Sequence, residues 1–298
     1  MSEPAKVFRR RLRAEDVRLF LSHPVLIHIL EEVKRADRAR LQLRGSYVDV
    51  YYGGYNLFQI HCRAKQLHLG SQSDTDFPEF WPKRTMDLDE IDPTNIAPAI
   101  AWLQQRRSKP GTDERSFESA IIRDNSAFDA LVVVLDRQIV QPGWKKERLD
   151  LLLYDTTEQQ MVLGEVKLLA NKEIAGDFFP QLLRYQGLVA NNPSIQATYP
   201  HVFEQKATLG VVQHELDALR ADKAPLLLLL MSGFDARTTS KGLTERLHTA
   251  AKRKSTEYAT LDVRVHNWSD FTEAPCRLPA ISEMPRFEEW IDSNLNGA

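Results

Sequence analysis

The chain has 298 residues, 43% hydrophobic and 27% charged, with a formal net charge of -2. That composition suits a globular protein of two ordinary domains or one large one. It excludes a polycation, so any affinity for nucleic acid has to come from a local patch. The two cysteines, Cys62 and Cys276, lie far apart and make neither a disulfide framework nor a zinc-ligand pattern.

The first residues, MSEPAKVFRRRLRAEDV, hold no apolar signal core. The longest apolar run, Leu226 to Met231, is too short to span a bilayer. A soluble cytoplasmic protein is the expectation. Residues 1–45 read as charged and mostly helical. Arg9, Arg10, Arg11 and Arg13 form a basic cluster, which suits a solvated face or contact with a phosphate backbone. A first helix is predicted from Glu15, with Val17, Phe20 and Leu21 as its apolar stripe. Pro24 suits the first turn of a second helix carrying Val25, Ile29, Leu30 and Val33.

The period then changes to two. SYVDVYY and YNLFQIH flank Gly53-Gly54, a pair that supplies the positive φ of a tight hairpin turn. Lys65 to Gly70 adds a third strand. The aromatics Tyr47, Tyr51, Tyr52, Tyr55 and Phe58 suit a sheet packing a core, or an exposed sheet stacking on bases. DFPEFWPKR reads as a loop with buried aromatics, and a short helix follows over Ile96–Arg106. RRSKPGTDE has the charge, Pro-Gly pair and lack of apolar period of a linker, which places a domain boundary there.

A helix is predicted over 114–130, burying Phe117, Ala120, Ile121 and Phe128. Strands follow near 132–140, 148–155 and 160–168, then a helix near 177–190 and a weak one over 201–220. Leu226 to Met231 reads as a fully buried strand. Thr239 to Lys254 is an amphipathic basic helix, and Leu261 to His266 is another strand. The tail from Phe271 contains Pro275, Pro279 and Pro285 and ends in a short helix near Phe287–Leu295. This order predicts an α/β (α+β) core with a mixed sheet. The expected layout is an N-terminal α+β domain over 1–110, a second domain over 111–270 and a tail over 271–298.

The chemistry concentrates in RLDLLLYDTTEQQMVLGEVK, Arg148 to Lys167, where acids and a lysine interrupt apolar strands. A four-residue turn at Thr156–Gln159 pairs Asp155 with Gln160. The same register puts Asp150 across from Glu165, with Cβ atoms about 5 Å apart. Period two puts Lys167 on that face, opposite Arg148. Two buried carboxylates so close repel unless a cation lies between them, and such an oxygen-rich site suits magnesium or manganese. The plainer alternative is a salt-bridged hairpin in which Arg148 and Lys167 neutralise the acids. A following helix brings Gln181, Arg184 and Tyr185 to one face.

Asp150, then Glu165-Val166-Lys167, then Gln181-Leu182-Leu183-Arg184-Tyr185 resemble the motif of the PD-(D/E)xK nuclease superfamily. The helix is similar to the Gln-x-x-x-Tyr element of its RecB-like branch, and the whole stretch to NucS-type DNA endonucleases. The resemblance covers about 114–190, and the domain it implies extends to 268. Leu149 stands where the family motif has proline. The resemblance implies a restriction-endonuclease-like core, a four-stranded mixed sheet flanked by helices. It implies Mg-dependent (or Mn-dependent) hydrolysis of DNA phosphodiesters, with Lys167 catalytic. An acid on the preceding helix joins the metal in that family, which points to Glu118, or to Glu114 one turn earlier. Expected partners are DNA, a second copy of the chain, and a protein supplying ATPase activity or targeting, since no phosphate-binding glycine loop is present. A catalytically inactive nucleic-acid-binding or assembly module with the same fold is the alternative function. His214-Glu215 lacks a second histidine, and Ser232-Gly233 lacks a hydrolase elbow.

Overall fold

The computed structural model describes residues 10–35, 39–52, 55–70, 80–105, 112–125, 130–139, 148–169, 172–211, 224–233 and 241–296. Arg9, Gly53-Gly54, Phe128 and His214-Glu215 lie outside them, as does most of the expected linker. The chain divides into two compact units, 1–110 with 197–218, and 111–196 with 219–298. Each has its own sheet, one antiparallel and one mixed. Among the described residues no helix is long and apolar enough to cross a membrane.

The first unit holds helices α1 (Ala14–Ser22), α2 (Pro24–Arg35) and α3 (Ile96–Gln105) and five strands. These are β1 (Ala39–Leu43), β2 (Val48–Tyr52), β3 (Tyr55–His61), β4 (Gln66–Leu69) and β5 (Thr85–Asp87), antiparallel in that order. Alternation builds one apolar face. Leu43, Val48, Ile60 and Leu67 form one cross-strand row and Leu41, Val50, Phe58 and Leu69 the next, all buried. Each such side chain contributes about 1.5–3 kcal/mol. β1 falls where a helical pattern was expected. Its apolar residues, Leu41 and Leu43, are spaced by two, not by three and four.

α2 buries Val25, Ile29, Leu30 and Val33 as its spacing predicts, and Leu26 as well. In α1 the stripe is narrower than expected, for Phe20 is buried but Leu21 is 49% exposed. Of the aromatics, Phe58 is in the core, and Tyr47 and Tyr51 are half-buried.

The second unit runs α4 (Glu114–Asp124), β6 (Val132–Ile139), β7 (Leu149–Asp155), β8 (Gln160–Leu168), α5 (Phe178–Ala190), β9 (Leu226–Ser232), α7 (Lys241–Glu257), β10 (Val263–Trp268) and α8 (Phe287–Ile291). Between α5 and β9, helix α6 (Pro193–Thr208) starts earlier than expected, and its residues from 197 belong to the first unit. There Gln205 exchanges hydrogen bonds of 2.8 and 2.7 Å with the backbone N–H and C=O of Leu12.

The second sheet has five strands in the order β10-β9-β8-β7-β6. β7 is antiparallel to both of its neighbours, β6 and β8, while β8, β9 and β10 are parallel. β9 is buried on both faces, as a central parallel strand of continuous leucines should be. α4 lays Phe117 and Ile121 against Leu151, Leu153, Val162 and Leu228. Gly164 lets the leucines close over β8, since a Cβ there would lie 2.7 Å from Leu153 Cδ1 and 3.3 Å from Leu151 Cβ. The tail packs onto this unit, because Asn125 donates to the Cys276 carbonyl and accepts from the Leu278 amide.

Candidate active site

β7 and β8 bring the central residues together. Asp155 pairs with Gln160, and the ladder runs to Leu151 with Gly164, one step short of Asp150 and Glu165. There the Asp150 carboxylate takes over, its Oδ2 accepting the Val166 amide at 2.9 Å. Glu165 and Lys167 share a face of β8 and are 3% and 4% exposed. The Lys167 ammonium lies 2.8 Å from Glu165 Oε1, 3.1 Å from Glu173 Oε2 and 3.4 Å from Glu114 Oε1. Glu173 comes from a short 3-10 turn, Lys172–Ala175, just beyond β8. Arg148, expected opposite Lys167, is instead exposed at the head of β7.

The charges are poorly matched. Burial, and then the neighbouring Glu165, push the Asp150 carboxyl well above the usual carboxylate range. Burial pushes Glu165 up to about 7, against the pull of Lys167 and with help from Glu114 and Glu173. Burial opposes the charge on Lys167, yet Glu165 and Asp150 outweigh it and hold the ammonium protonated above its ordinary range. Glu165 Oε2 is buried with no hydrogen-bond partner among the described residues.

Two other buried acids show what structural satisfaction looks like in this chain. Asp49 accepts from Asn56 at 2.7 Å, Arg44 at 3.0 Å and Tyr51 at 3.2 Å. Asp155 accepts the amides of Thr157, Glu158 and Ile281 at 2.8, 3.1 and 3.1 Å. Both are fully engaged, as buried carboxylates should be. Glu165 stands apart from them.

Glu118 is brought near but is engaged elsewhere. Its charge reaches Asp150, while its oxygens face Arg137, with Nη2 donating to Oε2 at 3.3 Å and Nε 3.2 Å from Oε1. The expected metal role of Glu118 therefore meets a guanidinium, and its alternative, Glu114, reaches Lys167. Tyr185 is buried and donates from Oη to the Arg148 carbonyl at 2.6 Å, tying α5 to the head of β7. Gln181 Oε1 is buried with no hydrogen-bond partner among the described residues, and Arg184 is exposed. In the first unit Arg13 is held by Asp16 and Glu15, while Arg11 is exposed. Arg137 and Glu173 had gone unnoticed in the sequence. Arg137 was legible as a charge inside the apolar run VVVLDRQIV, whereas nothing local marks Glu173.

Among the described residues, no group of three or more His, Cys, Asp or Glu side chains is arranged to hold a metal ion. The donor set that fits a divalent cation is the pair Asp150 and Glu165, with the unmatched Glu165 oxygen. Two hard carboxylates suit magnesium, which retains several waters and needs few protein ligands. Compared with protein-family models, curated proteins and solved structures, the chain finds no match in any of the three.

Proposed function

We propose that the protein is a magnesium- or manganese-dependent nuclease that hydrolyses phosphodiester bonds in DNA, built on a restriction-endonuclease-like core. The observation that carries this reading is a mutually repelling carboxylate pair, Glu165 buried and Asp150 half-buried, with an unmatched Glu165 oxygen, set beside a protonated lysine. The antiparallel β6–β7–β8 meander followed by parallel β9 supports the proposed core. A divalent cation bound there would polarise the phosphate and acidify a water. Asp150 and Glu165 are the residues to hold it. Lys167 keeps its proton and can donate to the negative charge that develops on the phosphate oxygens. Glu114 and Glu173 steady its ammonium. Tyr185 fixes the start of β7, and the Gln181 amide can order groups around the centre.

The test is cleavage of plasmid and of single- and double-stranded oligonucleotides with magnesium or manganese. Cleavage that disappears in Asp150→Ala and in Lys167→Ala is the expected result, and activity surviving in both variants overturns the assignment. A second reading, a non-cleaving nucleic-acid-binding or assembly module, is favoured by one observation: Glu118 is engaged by Arg137, leaving only Asp150 and Glu165 of the three expected metal ligands. Oligonucleotide binding without cleavage across several metals would select it.

A further inference from the structure

Arg137 has no part in the resemblance, yet it lies next to the centre. On β6 it pairs with Leu151, the residue after Asp150. A bulge between Val134 and Asp136 shifts the phase of the strand just before it. The arginine is 3% exposed and Glu118 is 5% exposed. Of their two contacts only Nη2 to Oε2, at 3.3 Å, is a hydrogen bond, long against the ordinary charge-assisted length of about 2.7–2.9 Å; Nε lies 3.2 Å from Oε1, and neither of those two atoms has a hydrogen-bond partner among the described residues. The Arg137 amide is held separately, by Asp136 Oδ1 at 2.8 Å, so the backbone of β6 is fixed apart from the guanidinium. On α4, Glu114 and Glu118 are one turn apart, so two acids of one helix reach the two cations of the centre, Lys167 and Arg137.

Taking a carboxylate out of water demands a counter-charge. With no divalent ion, Arg137 supplies it for Glu118. An incoming cation beside Asp150 and Glu165 would offer Glu118 a second counter-charge, and the carboxylate cannot serve both fully. We infer that Arg137 is an internal counter-cation that competes with the divalent metal for Glu118 and thereby sets the metal affinity of the Asp150–Glu165 centre. The inference rests on the proposal that this centre binds a metal. Arg137 is then a positioning residue that touches neither metal nor substrate. It explains how an acid of the right helix can be present yet turned to another partner.

The experiment is calorimetric titration of Mn²⁺ alone into the full chain, with no nucleic acid, alongside thermal melts. Arg137→Gln should bind Mn²⁺ about tenfold more tightly than the wild type, the usual size of a change outside the ligand shell. Its metal-free melting temperature should fall, and Mn²⁺ should restore more of it than in the wild type. The charge-balanced double variant Glu118→Gln/Arg137→Gln should return to about the wild-type affinity, because the released carboxylate is gone. Arg137→Lys keeps the charge without the planar guanidinium and covers the case in which Arg137→Gln does not fold, and it should bind a few-fold more tightly. Affinity unchanged or weakened in the soluble Arg137 variants overturns the inference and assigns Arg137 a purely structural role. Absence of Mn²⁺ binding to the wild type overturns the metal centre itself, and the inference with it.

Discussion

Glu165→Gln is the most informative single change, because the structure fixes its sign at two pH values. In the metal-free protein Glu165 titrates near 7, against about 4.5 for a free glutamate. Its folded state therefore holds the proton more tightly than the unfolded state. Between pH 4.5 and 7 the native protein binds more protons, so this group lowers stability as pH rises through that window. Fully ionised, the group costs the folded state about 3 kcal/mol, a figure that already contains the attraction of Lys167. Most of that cost is absent at pH 5 and nearly all of it is present at pH 8. Glutamine keeps the shape and removes the charge. Any fixed cost of placing an amide at the unmatched Oε2 position is the same at both pH values and cancels in the comparison. The variant should thus gain about 2–3 kcal/mol more over wild type at pH 8 than at pH 5, which for a unit of this size is about 5–10 °C in Tm. Thermal melts in EDTA at the two pH values measure it. Magnesium should then raise the wild-type Tm at pH 8 and leave the variant unmoved. A variant whose advantage is the same at both pH values, or that melts below wild type only at pH 8, refutes the electrostatic reasoning.

Tyr185→Phe removes the hydrogen bond to the Arg148 carbonyl and should cost about 1 kcal/mol while slowing cleavage through a looser Asp150; guanidinium melts and kcat check the two parts. Gly164→Ala should destabilise by about 1–3 kcal/mol, because its Cβ would meet Leu153 Cδ1 at 2.7 Å and the less yielding Leu151 Cβ at 3.3 Å; an unchanged Tm would mean that β7 moves freely. Burial depresses His266 to about 4, so the unfolded chain takes up its proton first: stability is complete above about pH 6.5 and falls by about 3 kcal/mol as pH drops towards 4. His266→Gln should flatten that acid limb of the stability profile.

The hairpin that carries the candidate site was readable because its turn length and its period leave one register. Asp155 does pair with Gln160, and each step from there brings Asp150 nearer to Glu165. The apolar run 226–231 and the stripe Val25–Val33 were readable for the same reason, a period sustained over enough residues. What failed to show was of two kinds. β1 is five residues with charges on either side, too short for its period to outweigh the helical pattern before it. The partners of the central charges come from other elements: Glu173 reaches Lys167 from the turn beyond β8, and Glu118 and Arg137 meet across α4 and β6, where a bulge shifts the phase of the strand ahead of Arg137. Period two predicts which residues share a face of one strand, and it says nothing of what another element lays against that face.

Glu165 differs from the other buried acids of the sheets in degree of engagement, and that difference carries a functional argument. Asp49 and Asp155 are each met by three donors and cost the fold little. Around Lys167 the balance is different: Glu114, Asp150, Glu165 and Glu173 surround one ammonium, and Glu118 needs a second cation, Arg137, to be tolerated at all. A fold selected for stability alone would remove one of those carboxylates, since an apolar or amide residue there is cheaper than an unmatched charge. The excess of negative charge becomes favourable only when a further positive charge is present, and in the proposed function a small divalent cation would supply it without displacing Lys167. The local instability of the centre and its proposed capacity to hold a cation would then be one property, and the Glu165→Gln melts and the Mn²⁺ titrations measure it from opposite sides.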